Sequence, residues 1–472
     1  MKYPVVKLMT AAMISAASLS AMASSNLLTG PQLTLGNVSS AQTLLSINSN
    51  PAAAQLVLNK KKSFRWSYVS GFALGVEFAD IDNVLDEYNL LSDELDDIES
   101  FGGATEDDIV DIADQFNGFL TGLGDEPVLM FDAEVHAPGF PLVFRSELLK
   151  GVVSLDVLGS VSAGGRIIGD SIEAQLGDGG DFEASTNTAL SVFYGTFASA
   201  TLGYSHDFGN PFSALDDAQK LHLDRLKGRL LVGGSLNVYK ATIAAQLEGL
   251  VVESDGDDDD DEAIDSILDI SEANEADSTS IGLDLGVLWV AEHYQLGMTW
   301  RNINEPEFDF PDPSSNCAVR TGSDLANCEL AMALETSRGI EFRDTFTMAS
   351  QISVEAAMTS SNKHWVLASG FDLNEVESLS GNESQWLSAS ASYYSDSYWV
   401  PSARLGYRKN LVGSELSLAG VGLTLFGGVT LDLAVALESI DIGGDEDDEG
   451  ELDEGDSVPR AAYLSLGFEH KF

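Results

Sequence analysis

The chain has 472 residues, with 24 Lys and Arg against 75 Asp and Glu, a net charge of −51. So large a negative charge excludes a general nucleic-acid binder, whose phosphate affinity comes mostly from Lys and Arg, and disfavours docking on anionic lipid through a basic patch. A hydrophobic fraction of 44%, with 22 Phe, 12 Tyr and 6 Trp, excludes wholesale disorder, and length alone allows roughly two or three soluble domains or one large structure.

Residues 1–23 read as a secretory signal peptide. Lys2 and Lys7 form the positive end, Leu8 to Met22 is apolar or small, and Ala21-Met22-Ala23 is an A-x-A cleavage site before Ser24. The apolar stretch is short of the ~20 residues that a membrane anchor needs. No Cys follows the site, which argues against lipid attachment. The mature chain is expected to begin near Ser24, in an oxidising compartment.

From residue 64 the chain alternates with a period of two, the strand period. Phe64, Trp66, Phe72, Leu74, Val76 and Phe78 alternate with Arg65, Ser67, Gly71, Ala73, Gly75 and Glu77. The same pattern recurs at 281–289, 294–301, 403–408 and 429–438. Leu416–Leu437 has the length of a membrane helix, but its glycines and its alternation make it two strands turning at Phe426-Gly427-Gly428. The polar faces are Gly, Ala, Ser, Thr and a few charges, whereas a soluble sandwich turns many charges outward. The apolar faces end in aromatics: Trp289, Tyr294, Trp300, Trp365, Trp386 and Tyr407. This predicts an all-β chain, a transmembrane antiparallel β-barrel with a lipid-facing band, aromatic girdles and a polar lumen.

Counting back from the C-terminus gives strands near 460–472, 429–440, 414–425, 401–409, 384–394, 363–373, 345–356, 293–303, 279–290, 240–251, 228–238, 190–206, 151–167 and 64–79. That is about 14, an even number as bacterial barrels have; 127–150 supplies a further strand or a bulge. Phe468, His470 and Phe472 share one face of the last strand, like the signal that outer-membrane barrels show to their assembly machinery. The short turns at 291–292, 358–362 and 426–428 then fall in the periplasm. The long connections 80–126, 207–227, 252–278, 304–344, 374–383 and 441–459 fall outside the cell, and three of them (80–126, 252–278 and 441–459) carry much of the negative charge. Helical spacing at Val84, Tyr88, Leu91, Leu95 and Ile98, and again at Ile109, Ile112, Phe116 and Phe119, predicts two acidic helices in 80–126.

Cys317 and Cys328 are the only cysteines, and in an exported protein such a pair is a short-loop disulfide rather than half a zinc site. The acidic runs are first a solvated, self-repelling surface. Asp255, Asp257 and Asp259 are weak calcium candidates, without the ligand spacing of an EF-hand. No other metal site and no cofactor is expected. Inward positions Arg65, Glu77, Asp284, Arg301, Asp372, Arg404, Arg408 and Asp432 mix both signs, and either line a pore or pair inside a closed lumen. The six His are scattered, no hydrolase or phosphate-binding motif is present, and His206-Asp207 would point to opposite faces of a strand, so no catalytic residue is named.

Asn50-Pro51-Ala52-Ala53, after Gly36–Leu45, resembles the N-terminal segment of the long-chain fatty-acid transporter (FadL) superfamily. Within it, Thr186–Tyr204, Gly233–Tyr239, Ile281–Ile303 and Arg404–Leu437 resemble the TraF-type conjugal-transfer outer-membrane family. The resemblance implies a barrel of fourteen strands, here 64–472, with a hatch inside it, here 24–63, in which Asn50, Pro51 and Ala52 are the motif. It implies an outer-membrane location in a Gram-negative bacterium and uptake of hydrophobic or amphipathic small molecules. The alternatives are an envelope component serving conjugal plasmid transfer, and a general diffusion porin. Expected partners are membrane lipid, the barrel-assembly machinery and an apolar solute, with no nucleic acid.

Overall fold

The structure is a computed structural model and describes residues 27–58, 63–79, 117, 128–171, 173–176, 182–185, 187–211, 227–249, 274–340, 342, 345–442 and 456–469. The predicted signal peptide, the predicted helices of 80–126, the candidate calcium ligands Asp255, Asp257 and Asp259, and His470 and Phe472 lie outside the described residues.

Fourteen antiparallel strands form one closed ring in chain order. They are β1 (Phe64–Trp66, resumed as Val69–Phe78), β2 (Leu129–His136, resumed as Leu142–Ser146), β3 (Gly151–Ile168), β4 (Ala189–Asp207), β5 (Gly228–Gly249), β6 (Glu275–Ala291), β7 (Tyr294–Arg301), β8 (Gln351–Thr359), β9 (Trp365–Asp372), β10 (Trp386–Tyr393), β11 (Ser402–Asn410), β12 (Ser417–Leu425), β13 (Val429–Ala436) and β14 (Ala461–Phe468). Strand β14 pairs with β13 on one side and with β1 on the other, so no edge is left open. The breaks in β1 and β2 face each other. Pro138 and Pro141 offer no N–H to the ladder there, and Gly139 N–H to Tyr68 O (3.1 Å) and Ser70 Oγ–H to Phe140 O (2.6 Å) span the gap instead.

The expected alternation sets the two faces. Leu283, Leu285 and Val287 of β6, Leu296 and Met298 of β7, and Leu431 and Leu433 of β13 are exposed on the outer face, as a face turned to lipid would be. Their in-between neighbours point inward. From Ile281 to Trp289 the apolar band spans about 27 Å along the strand, or about 21 Å of height at a tilt of roughly 40°, close to the ~25 Å apolar band of membrane barrels.

The count of fourteen is reached differently from the sequence reading. Residues 228–249 are one strand, paired along its length with β4 and with β6, not two strands parting near Lys240. The missing strand comes from 127–150. Lys240 interrupts the apolar outer pattern because the strand runs past the band. On the neighbouring strand Asp277 lies beside Thr242 Oγ1, outside the apolar zone. The shift also reverses one connection. β4 ends and β5 begins at the end that carries the turns 292–293 and 426–428, so 208–227 joins strands at the short-turn end, and 169–188 joins them at the long-loop end. Of the six predicted girdle aromatics, Trp386 differs. It lies on the inward-facing register of β10, with the Arg408 guanidinium 4.2 Å above its ring.

The long-loop end is roofed. A hairpin of Glu307–Asp309 with Thr345–Thr347 sets Phe308, Phe346 and Met348 on Phe197, Ala241 and Ile243 of the inner wall.

Candidate functional site: a plugged lumen

Residues 27–58 lie inside the barrel. They form α1 (Gln32–Leu35), α2 (Ser46–Ser49), a 3-10 turn (Pro51–Ala53) and α3 (Ala54–Val57). No element exceeds four residues, too short to be stable alone. Burial against the wall holds them: Leu44, Ile47, Ala54 and Val57 pack on Val143 and Val152, and Ala52 and Ala53 pack on Leu231 and Leu288. The whole segment contains no Asp, Glu, Lys, Arg or His.

The motif Asn50-Pro51-Ala52 sits at its centre. Pro51 disfavours a helical conformation at the residue before it, and Asn50 is extended (φ −153°, ψ 119°), which ends α2. Its Oδ1 accepts the Ala52 N–H at 2.9 Å and so starts the next turn. Motif and turn are thus the same feature. Asn50 is also fully buried, and its Nδ2 donates to Met298 O at 3.2 Å and Val287 O at 3.4 Å on the wall. Two wall glycines make the seat. A Cβ at Gly286 would overlap Asn50 Oδ1, and a Cβ at Gly233 would run into the Pro51 and Ala52 backbone.

The wall meets this uncharged plug with charged groups. Arg301 Nη2 and Thr299 Oγ1 each donate to Ser49 O at 3.1 Å, capping the end of α2. Arg65 donates to the carbonyls of Ala41, Gln42 and Val57 and pairs with Glu469 at 2.9 Å. Glu469 in turn accepts Thr43 Oγ1–H and Leu44 N–H, both at 2.7 Å. Thr34 Oγ1 donates to Asp432 at 2.6 Å. Asp432 is held by Arg404 through two bonds, 3.1 Å from Nε and 2.8 Å from Nη2, with both side chains out of solvent. Ser39 N–H donates to Glu355, and Asn48 Nδ2 donates to Asp156 at 2.7 Å.

The remaining inward positions bond to the wall or to the loops that fold into it. Glu77 accepts from Tyr463 at 2.7 Å and from Asn382 at 3.2 Å. Asp372 accepts from Ser353 at 2.7 Å and from the Trp386 N–H at 3.0 Å. Asp284 accepts from Asn237 at 2.6 Å, Ser235 at 2.8 Å and the Asn302 N–H at 2.9 Å. All eight named inward residues therefore engage partners, and Arg65, Arg301 and Asp432 reach the plug directly. Glu355, Glu469, Asp156 and the seat glycines Gly233 and Gly286 were not singled out. The first three were visible as lone carboxylates on inward registers. The glycines were not, because what fills the space above a glycine is set by the other side of the lumen.

The plug divides the space. On the long-loop side a cavity of about 260 Å³ lies between the plug and the roof, lined among others by Leu45, Ser49, Phe197, Tyr239, Asp284 and Arg301. On the short-turn side a cavity of about 20 Å³ lies beside Pro31, Thr43, Arg404 and Glu469, with room for little more than one water. Residues 27–58 contribute to the lining of both.

Residues 48–372, more than half of the chain, match the family described as "F plasmid transfer operon, TraF, protein". The chain belongs to this family. Among solved structures it is similar to a FadL homologue of Pseudomonas aeruginosa, with 11% identity, a TM-score of 0.40, and 96% of this chain and 100% of that one covered. It is also similar to the toluene transporter TodX of Pseudomonas putida (10%, TM-score 0.36, 93% and 95% covered) and to the CymD monoaromatic hydrocarbon channel (10%, TM-score 0.38, 94% and 97% covered). No curated protein matches it.

The expected pair Cys317–Cys328 is a disulfide, with Cα atoms 5.5 Å apart. It ties the turn before α4 (Ser323–Arg338) to that helix, whose Ala331 and Leu334 pack on Ile168, Ala189 and Leu247 at the rim. His206 and Asp207 go separate ways: Asp207 pairs with Arg229 at 2.8 Å, and His206 lies beside Tyr204 and Phe208. Among the described residues no three His, Cys, Asp or Glu side chains gather where they could hold a metal ion.

Proposed function

We propose that this protein is a gated uptake barrel of a Gram-negative outer membrane, admitting small hydrophobic or amphipathic molecules by diffusion. The solute would pass the roof, rest in the cavity, and leave toward the periplasm when residues 27–58 rearrange. The observation that carries this reading is the plug. It lies across the lumen, carries no charge, and lines a solute-sized cavity on one side and a cavity the size of one water on the other. A diffusion porin needs a continuous aqueous path, and the plug's place argues against one.

The test is a reversible lock. Val38 of the plug faces Gly370 of β9 closely enough for a Cβ there to meet its Cγ2 at 3.4 Å, with only the Ser388 hydroxyl nearer. Val38→Cys with Gly370→Cys, in a chain whose native cysteines are serine, should pin the plug to β9. In liposomes, uptake of a labelled apolar solute should fall when the lock is oxidised and return on reduction. Equal uptake in both states sinks the reading.

A second reading follows from the family match alone: an envelope component of conjugal transfer. Counting transconjugants from a plasmid-bearing host with and without the gene decides it, and unchanged transfer removes it.

A further inference from the structure

We infer that the short-turn end of the barrel is immersed unevenly in the periplasmic phospholipid leaflet, deep along the arc from β10 round to β5 and shallow along β6–β9. The inference rests on the barrel spanning a membrane and not on what passes through it. The two arcs end differently. On β6–β9 the aromatics stop on the strands: Trp289 Nε1 donates to Tyr294 Oη at 3.2 Å at the end of that hairpin, and Trp365 opens β9. The turns beyond them are polar, Glu292-His293 and Ser361-Asn362-Lys363, and all five residues are exposed. Around the rest of the ring the apolar side chains stand at the tips themselves. Leu148, 91% exposed, and Leu149 form the β2–β3 turn, and Phe208 follows β4. Tyr398, Trp399 (79% exposed) and Val400 lead into β11, and Phe426 turns β12 into β13.

Local bonds hold these tips in shape. The rings of Tyr398, Trp399 and Phe426 pack on one another from two different turns, with centroids 5.2, 6.3 and 6.5 Å apart. Ser397 Oγ accepts the Trp399 N–H at 3.3 Å and the Val400 N–H at 3.4 Å, and Ser402 Oγ accepts the Ser395 N–H at 3.0 Å. In the β2–β3 turn, Ser146 Oγ accepts the Leu149 N–H at 3.2 Å, and Tyr204 Oη donates to Leu149 O at 2.8 Å.

Two observations identify lipid as the occupant. The tips continue the lipid-facing band: Leu423, Val429 and Leu431 are exposed on the strands that turn at Phe426, and Leu202 and Tyr204 are exposed on β4 next to Leu149. The chemistry is also that of an interface. Tyr and Trp join an apolar body to a polar edge and collect at headgroup level. Glu147, Lys150 and Asp396 flank the tips and are exposed, which suits a wet headgroup layer and not the acyl core. In water each exposed apolar tip forfeits its transfer free energy. Lipid recovers it in the layer roughly 5–10 Å deep where interfacial segments settle. Strand ends on one arc and turn tips on the other then lie at the same depth, so the barrel leans toward the apolar arc.

The experiment uses the full chain in phospholipid nanodiscs, where both ends of the barrel meet solvent. Three single-tryptophan chains are compared, with every other tryptophan replaced by phenylalanine: one keeps Trp399, and the others carry Leu148→Trp or Asn362→Trp as the reporter. Lipid with brominated acyl chains should quench Trp399 and the Leu148→Trp reporter about twofold or more beyond the Asn362→Trp reporter, and acrylamide in the water should show the opposite order. If the single-tryptophan chains fail to fold, spin labels on Val400→Cys and Ser361→Cys make the same comparison, in chains that keep every tryptophan and whose native cysteines are serine. Oxygen should then reach the first label better, and a water-soluble nickel chelate the second. Equal quenching of all three reporters, or equal accessibility of both labels, overturns the uneven immersion. Trp399 open to acrylamide and untouched by bromine overturns it too, and would assign the aromatic tips to a periplasmic protein instead. Neither readout involves uptake, so failure of the transport reading leaves this inference standing.

Discussion

The sharpest consequence of the plug's seating concerns Gly286. A methyl group there overlaps Asn50 Oδ1 and lies 2.9 Å from Pro51 Cδ. The wall cannot retreat, because Gly286 is laddered on both sides, to Gly233 and to Thr299. Asn50 must therefore move. In moving it gives up its bond to the Ala52 N–H and its weaker contacts to Val287 O and Met298 O. Losing a hydrogen bond costs roughly 0.5–1.5 kcal/mol, and a buried polar group left unpaired costs roughly 1–3 kcal/mol. A penalty of about 2–4 kcal/mol on the docked plug follows, a shift of roughly 30- to 700-fold in its docked-to-undocked ratio at 1.4 kcal/mol per tenfold. The barrel ladder itself loses nothing. Gly286→Ala should therefore expose residues 27–58 to limited proteolysis and raise single-channel conductance in planar bilayers, with the heat-unfolding temperature of the barrel little changed. Gly165→Ala is the control, since a Cβ there meets nothing closer than 3.8 Å. If Gly286→Ala protects the plug and conducts just as the wild type and the control do, the seat reasoning is wrong.

Other consequences can be checked separately. Arg404→Met strands the buried Asp432 and should cost about 3–5 kcal/mol, measured by thermal unfolding in detergent; Arg404→Met with Asp432→Leu should recover most of it, because both charges are then gone. Replacing Cys317 and Cys328 by serine should loosen the start of α4 by about 3 kcal/mol, the loop-closure value for a short disulfide loop. Hydrogen exchange should rise at 323–331 and stay unchanged in β9–β13; a uniform rise across the barrel contradicts a local role. Deleting residues 27–58 should convert a closed barrel into one with steady ohmic conductance, and silence from that variant when correctly inserted would mean that something other than the plug shuts the lumen.

Facing is legible because it is a local, period-two property repeated many times, whereas the count of fourteen agrees because one strand read as two offsets the strand left out at 127–150. Asp432, Glu77 and Arg404 could be assigned inward from their neighbours alone. Segmentation failed where local chemistry changes without a change in backbone. Lys240 looks like the start of a new strand because the apolar outer pattern stops there, yet the ladder to β4 and β6 continues beyond it. Residues 137–141 fail in the opposite sense: Pro138 and Pro141 break the ladder but not the strand's path, so one wall element reads as an ambiguous stretch. Trp386 was drawn to the outer girdle by residue type, though its register places it beside Arg408. The plug's place inside the barrel was carried by the N-P-A resemblance, while its seat at Gly233 and Gly286 is a contact between residues some 180 to 240 positions apart, which no local pattern encodes.

The distribution of charge in the lumen bears on whether the plug can move at all. Every cation and carboxylate in these contacts belongs to the wall; the plug contributes hydroxyls, amides and backbone groups. Had the plug carried one member of a buried ion pair, its departure would strand the other at a cost of roughly 3–5 kcal/mol for each pair. As built, the pairs Arg65–Glu469 and Arg404–Asp432 lie wholly within the wall and survive the plug's release. What is lost is a set of neutral-to-charged hydrogen bonds, each replaceable by water once the lumen is wet, at a net cost of roughly 1.5–3 kcal/mol or less. A neutral plug in a charged wall is thus held by many exchangeable bonds and by none that must be broken as an ion pair. Introducing a charge should make this visible. Asn48→Lys beside Asp156, a carboxylate that Asn48 already reaches at 2.7 Å, would add such a pair and should hold the plug more firmly, lowering uptake and protease access together. Lowered protease access with unchanged uptake would show that the solute does not depend on release of the plug.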